Sequence, residues 1–310
     1  MPDNKLTSHL NQNTALTSAI NSWGMYLADQ GRSPHTLKAF LADVRLLAKF
    51  LPADVAIGKI TTKDLNRYFE WMEKERDVPC SPKTLARRIT SVKSLFRWLH
   101  KYGVLIVDPA DKVPQRSAVS PLPIVLTPKE YDEVLLVADR HRRGAKPDAR
   151  PYALAYLLLS TGIKKSETLG IDLEHLELDA PNGPQVFIKY ASPANRYKER
   201  KLPLPEDWLP AFEEYRSQYK RSTPQSGSVD QPEEKLFPWS PRRLEYLLED
   251  ISNEAGLTKH LSFDMCRWTC ALTDFHAGMD PDQIRQKLGV SKIQWRELFI
   301  KLQKLAGTKE

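Results

Sequence analysis

The sequence predicts a mainly α-helical chain with one small β-sheet, an α+β protein built as two domains. Three observations predict it. Apolar residues recur at helical spacing through most of the 310 residues, behind repeated Ser-Pro and Thr-Pro openings. Only two short runs, Gln185 to Tyr190 and Lys201 to Leu204, alternate or stay apolar in the manner of strands. Between the halves, residues 106–125 carry Pro109, Pro114, Pro121 and Pro123 with few periodic apolar positions, which reads as an extended linker.

Residues 1–13 form a polar tail, and residues 14–105 read as a domain of four helices. The second and fourth helices open on Ser33-Pro34-His35-Thr36-Leu37 and Ser81-Pro82-Lys83-Thr84-Leu85. A serine there accepts a first-turn amide, and proline at the first helical position gives up a donor that has no partner anyway. On the fourth helix Leu85, Ile89, Val92, Phe96 and Leu99 define a buried stripe, and the other faces hold Lys83, Arg87, Arg88, Lys93, Arg97 and Lys101. No acidic residue occurs from Ser81 to Lys101. Six uncompensated cations on one helix favour a surface that faces phosphates.

The second domain, residues 126–310, begins with a helix capped by Thr127-Pro128. An apolar helix from Tyr152 to Ser160 leads into Thr161-Gly162-Ile163-Lys164-Lys165-Ser166-Glu167, and the two strands follow, joined by a long polar hairpin. Residues 219–235, rich in Ser, Pro, Gln and Gly, suggest a mobile loop. Helices are then expected over Pro241 to Ala255, Phe263 to His276, Pro281 to Leu288 and Lys292 to Ala306.

Charge placement says more than its total of +7. Residues 1–116 hold 18 Lys and Arg against 11 Asp and Glu, a surplus equal to the whole net charge. A domain that meets a polyanion has this footprint. Cys80, Cys266 and Cys270 give no paired framework, and Cys266 and Cys270, four apart on a helix, read as buried thiols rather than as half of a metal site. With a polar start and no apolar run near ~18 residues, neither a signal peptide nor a membrane span is expected. A cytoplasmic, reduced protein follows as the expectation.

The run Asp264-Met265-Cys266-Arg267-Trp268-Thr269-Cys270-Ala271, followed by Gly278, Leu288-Gly289-Val290 and Phe299, resembles without a gap the signature of the tyrosine recombinases, or phage integrases. The signature reads His-x-x-Arg-His-Thr-x-Ala, a Gly, Leu-Gly-His and a nucleophilic Tyr. Here Arg267 keeps the arginine, while Asp264 stands for the first histidine, Val290 for the histidine of Leu-Gly-His and Phe299 for the tyrosine. The stretch at Gly162 resembles the family's Thr-Gly-hydrophobic-Arg-x-x-Glu, with Lys164 for the first arginine. Lys198-Glu199-Arg200 matches the end of the pattern around the catalytic hairpin lysine, so Lys189 and Lys198 both stand as candidates. The Ser-Pro-x-Thr helix, Tyr102-Gly103 and Asp108-Pro109-Ala110 resemble the family's core-binding domain, a helical bundle that closes one side of a clamp around duplex DNA.

The resemblance implies binding of double-stranded DNA by Lys83, Arg87, Arg88, Lys93, Arg97, Lys101, Lys164, Lys198, Arg200 and Arg267, with no metal or nucleotide cofactor and with nucleoid association when bound. Arg267 has two open readings, a phosphate contact or a pair with Asp264 three residues earlier. A phenyl ring has no hydroxyl, Lys164 lacks the bidentate fork and Val290 donates nothing, so strand cleavage is expected to be lost and the chain not to be an enzyme. The leading expectation is a sequence-specific regulator or repressor of a phage or mobile element. The alternative is a non-cutting accessory subunit of a recombination or transposition complex, docking or self-associating through Lys292 to Ala306. A third reading keeps an active recombinase, or an enzyme using Ser291 as nucleophile or Asp264 as a metal ligand.

Overall fold

The structure, a computed structural model, describes residues 7–116, 121–222 and 235–307. Its two compact units are residues 1–121 and 122–310.

The first unit is built from α1 (Leu16–Asp29), α2 (Pro34–Phe50), α3 (Thr62–Lys74) and α4 (Pro82–Lys101). Ser33 and Ser81 cap α2 and α4 by accepting the amides of Thr36 (3.2 Å) and Thr84 (3.3 Å), and Thr61 with Asp64 forms a capping box at α3. Trp23, Leu47, Tyr68 and Phe96 are fully buried between the four helices. Two stretches outside the helices also enter this core. Leu10 lies in it from the expected tail, and Ala110 and Val113 from the expected linker, where the Thr62 hydroxyl donates to the Pro109 carbonyl at 2.7 Å.

The second unit runs α5 (Pro128–Arg143), α6 (Arg150–Thr161), α7 (Lys165–Thr168), β1 (Leu176–Glu177), β2 (Gln185–Ile188), β3 (Arg200–Pro203), α8 (Leu209–Ser222), α9 (Pro241–Glu254), α10 (Phe263–His276), α11 (Pro281–Lys287) and α12 (Lys292–Gly307). The mainly helical class with one small sheet holds. β1, β2 and β3 form an antiparallel meander in which Val186 pairs with Leu176 and Leu202. β1 is new, because two residues are too short to show a period. α6 is apolar on all sides because it is buried between α5 and α10, and the Trp208 indole donates to the Ala153 carbonyl at 2.9 Å. α10 is fastened to the start of the unit by Thr269, whose hydroxyl accepts the Leu126 amide at 3.0 Å. Of the expected loop 219–235, residues 223–234 lie outside the described residues. Among the described residues no helix is long and apolar enough to cross a membrane.

Candidate functional site

α6 ends at Gly162, in the left-handed conformation with φ +62°. A Cβ there would lie 3.0 Å from Leu288 Cδ2 and 3.2 Å from Cys270 Sγ, so glycine lets the ends of α6 and α11 close on α10. Arg267 of α10 spans this junction. Its Nη1 donates to the Gly162 carbonyl at 2.6 Å and its Nη2 to the Leu288 carbonyl at 2.5 Å. The residue is 8% exposed, and burial pulls its pKa below the ordinary arginine value. Two of the five guanidinium N–H groups are thus used. The expected pair with Asp264 is not built: Asp264 is exposed, and among the described residues no carboxylate forms an ion pair with Arg267.

Lys164 stands two residues past Gly162, at the start of α7. Burial lowers its pKa to about 8, and the positive Arg267, Arg200 and Lys198 act in the same direction against Glu167, whose Oε1 lies 3.9 Å from Nζ. Lys164 is therefore a cation at neutral pH whose charge is easily lost.

Glu167 is the buried counter-ion of the group. The Arg200 fork holds both its oxygens at 3.0 Å, the Tyr190 hydroxyl donates to Oε1, and the Lys164 amide donates to Oε2 at 2.8 Å. Burial alone would raise this carboxyl, but Arg200 and the other donors hold it down at about 2. Arg200 also donates from Nε to the Lys287 carbonyl at 2.6 Å, and Gly289, at φ +58°, is where a Cβ would press to 2.7 Å from the guanidinium carbon. Expected as a DNA contact, Arg200 points inward here and fastens the β-hairpin to α7 and α11.

The two hairpin lysines separate. Lys189 turns to Glu174 at 3.5 Å, whereas Lys198 sits over the Tyr190 ring and acts electrostatically on Lys164. The structure brings Lys198, not Lys189, to the cation group. A cleft of about 600 Å³ opens in front of Lys164 and Arg267, lined also by Lys165, Glu245, Glu249, His260, Leu261, Ser262, Phe263 and Asp264. Sequence patterns pass over Lys165, Glu245, Glu249 and His260, because charged residues outside a motif carry no mark of what they face.

Val290 is 9% exposed and packs with Ala271, Ile284, Leu288 and Leu302. The Phe299 ring stacks on Trp295 at 5.5 Å between centroids and meets Phe275 edge-on at 6.1 Å. Both side chains do apolar packing. Cys266 and Cys270 are buried, and burial pushes both thiols up, that of Cys270 to about 12.

On α4 the six cations are not equivalent. Buried Asp43 of α2 takes Arg87 Nη1 at 2.6 Å and the Ser91 hydroxyl at 2.8 Å, with Arg88 Nε at 3.5 Å. Arg88 also donates towards Met72 and Cys80, and its side chain is only 15% exposed. The expectation of an uncompensated helix is corrected here, because the counter-charge comes from a neighbouring helix. Lys93 donates to the Asp111 carbonyl at 3.3 Å, and Lys101 lies over the Tyr102 ring. Lys83 and Arg97 are exposed and, among the described residues, have no ion-pair partner.

Residues 20–103 match the phage integrase N-terminal SAM-like domain, and residues 125–304 match the phage integrase family. Tyrosine recombinase XerC of Xylella fastidiosa strain M23 is 24% identical over 280 residues, 88% of each chain. XerC of Mycobacterium sp. strain JLS is 29% identical over 164 residues, 52% of this chain and 55% of that one, so the chain spans about half the length of such relatives. Among solved structures, XerH recombinase bound to palindromic difH substrate aligns with a TM-score of 0.71 at 17% identity, covering 97% of this chain and 90% of that one. A lambda integrase dimer bound to a COC' core site aligns with a TM-score of 0.70 at 14% identity, covering 99% and 81%. At these identities the likeness is one of fold. The expectation that the chain is not an enzyme is overturned by its relatives, which are named as tyrosine recombinases, an enzyme family. The substitution at Phe299 does not by itself take the chain out of that class. With both halves matched and the Arg267 junction in place, the chain belongs to the phage integrase, or tyrosine recombinase, family.

Proposed function

We propose that this chain binds duplex DNA and acts in site-specific recombination, seating a backbone phosphate in the cleft before Lys164 and Arg267. Arg267 carries the reading. A buried guanidinium held by two main-chain carbonyls, with no carboxylate paired to it among the described residues, presents fixed donors to an anion without reorganising. Lys164 and Lys198 add charge beside it, and in the first unit Lys83, Arg97 and Lys101 of α4 offer exposed cations. The DNA complexes of the structural neighbours support this reading. One of them, the Tn1549 transposon integrase, was solved with a tyrosine replaced by phenylalanine, in complex with transposon right end DNA (TM-score 0.67, 17% identity, covering 94% of this chain and 100% of that one).

Phe299 favours a finer reading. Its ring carries no hydroxyl, so a phosphotyrosine formed in a complex containing this chain uses another tyrosine. The chain would then share its site with a second recombinase protomer, and Ile293 and Ile300 of α12, 81% and 54% exposed, are free to meet it. Regulation of a mobile element from the same DNA site is the alternative.

Gel shifts on duplex DNA between 50 and 200 mM salt test the proposal. Binding should weaken steeply with salt, and Lys164→Gln with Lys198→Gln should weaken it about 10-fold or more, as removal of charged hydrogen bonds does. No binding at 50 mM salt would end the reading. A genome-wide map of bound DNA then separates recombination junctions from promoters, and a nicked duplex substrate shows which hydroxyl, if any, becomes linked.

A further inference from the structure

Lys165, Glu245, His260 and Glu249 line the cleft before Arg267 in two facing pairs. Lys165 Nζ lies 2.7 Å from Glu245 Oε1, and His260 Nδ1 lies 3.9 Å from Glu249 Oε1. Glu245 and Glu249 are four apart on α9 and therefore share one face of that helix. The Glu245 carboxylate thus occupies the Lys165 ammonium at the edge of the place proposed for a phosphate, and the Glu249 carboxylate stands beside the His260 ring, beyond hydrogen-bond distance. All four side chains are well exposed, from 43% for Lys165 to 79% for His260. Exposed pairs of this kind are weak and screened by salt, so a phosphate can exchange for the carboxylate at small cost. Asp264, exposed on the same wall, adds a third negative charge with no partner of its own in an ion pair among the described residues.

We propose that Lys165 and His260 are additional phosphate-binding residues of this cleft, Lys165 held in the DNA-free chain by Glu245 and His260 faced by Glu249, and that DNA phosphates displace these carboxylates. α9 then works as an internal competitor that lowers affinity for any duplex and yields only where the rest of the interface is well matched. This inference rests on the cleft being the DNA phosphate site.

The test compares duplex affinity across a salt series for four forms of the full chain. Glu245→Gln with Glu249→Gln should tighten binding by roughly 2- to 10-fold at low salt. A gain of this kind cannot come from misfolding. Lys165→Gln with His260→Gln should weaken binding and flatten the salt dependence by up to about 0.9 for each phosphate no longer neutralised. In the form with all four changes, the gain from removing the glutamates should largely vanish. If that gain persists in full, the carboxylates repel DNA in general and the proposal is overturned. It is also overturned if either double variant binds like the wild type. A wild type that binds no duplex at all would instead remove the reading of the cleft itself.

Discussion

Replacing Glu167 by Gln tests whether the cation group is held by a buried ion pair. In the structure this carboxyl is lowered from 4.5 to about 2 by Arg200 and its other donors, overcoming the burial that would raise it. A drop of that size corresponds to roughly 3 kcal/mol of folded-state stabilisation at neutral pH. Removing one partner of a buried pair costs about 3–5 kcal/mol in general, so the two figures agree. A depressed carboxyl contributes its stability above the ordinary value near 4.5 and loses it as pH falls towards about 2. Because Arg200 links β3 to Glu167 and to the Lys287 carbonyl, the loss should appear first in the hairpin. Amide exchange in residues 185–203 should be about 100-fold faster in Glu167→Gln than in the wild type at pH 7, and the ratio should shrink as pH falls below about 4.5, reaching one only towards pH 2. A ratio under ~5 at pH 7, or one that ignores acidification, would refute the assignment of Glu167 as the anchor.

Other perturbations give separate readouts. Lys164, with its pKa lowered to about 8 by burial, is charged below that value, so DNA affinity should fall as pH rises through 8; Lys164→Arg should hold its affinity across pH 7–9, and a parallel decline in both forms would show that another group titrates. Lys83→Glu with Arg97→Glu should flatten the salt dependence of binding by about 2 with no change in melting temperature, whereas Arg88→Glu should lower the melting temperature by several degrees because it breaks the Asp43 cluster. Gly162→Ala forces a Cβ onto Leu288 and Cys270 at a positive φ and should destabilise by about 1–3 kcal/mol in urea titration; an unchanged midpoint would mean that the α6 to α10 junction relaxes freely.

Much of the fold could be read from local signals. α10 runs from Phe263 to His276 as expected, and the Ser33 and Ser81 caps act as expected. The motif frame marked Arg267, Lys164 and Lys198, which the structure brings together. What escaped was set by tertiary contacts. Nothing near Arg87 shows that Asp43, 44 positions earlier, neutralises it. Nothing near Arg200 shows that Glu167, 33 positions earlier, turns it inward. Lys189 and Lys198 look alike in sequence and part only because the short helical turn at 193–198 swings one towards Tyr190 and leaves the other at Glu174. β1 was too short to carry a pattern, and Ala110 looked like linker because a single buried alanine has no period.

The two bonds that hold Arg267 end on main-chain oxygens at positions 162 and 288. Every residue type carries a carbonyl, so no side-chain replacement at those positions deletes the acceptor itself; only a change of backbone path removes it. The guanidinium is therefore insulated from side-chain changes that leave the backbone path intact. Side chains at positions 264, 290 and 299 can change while the cation stays aimed by the backbone.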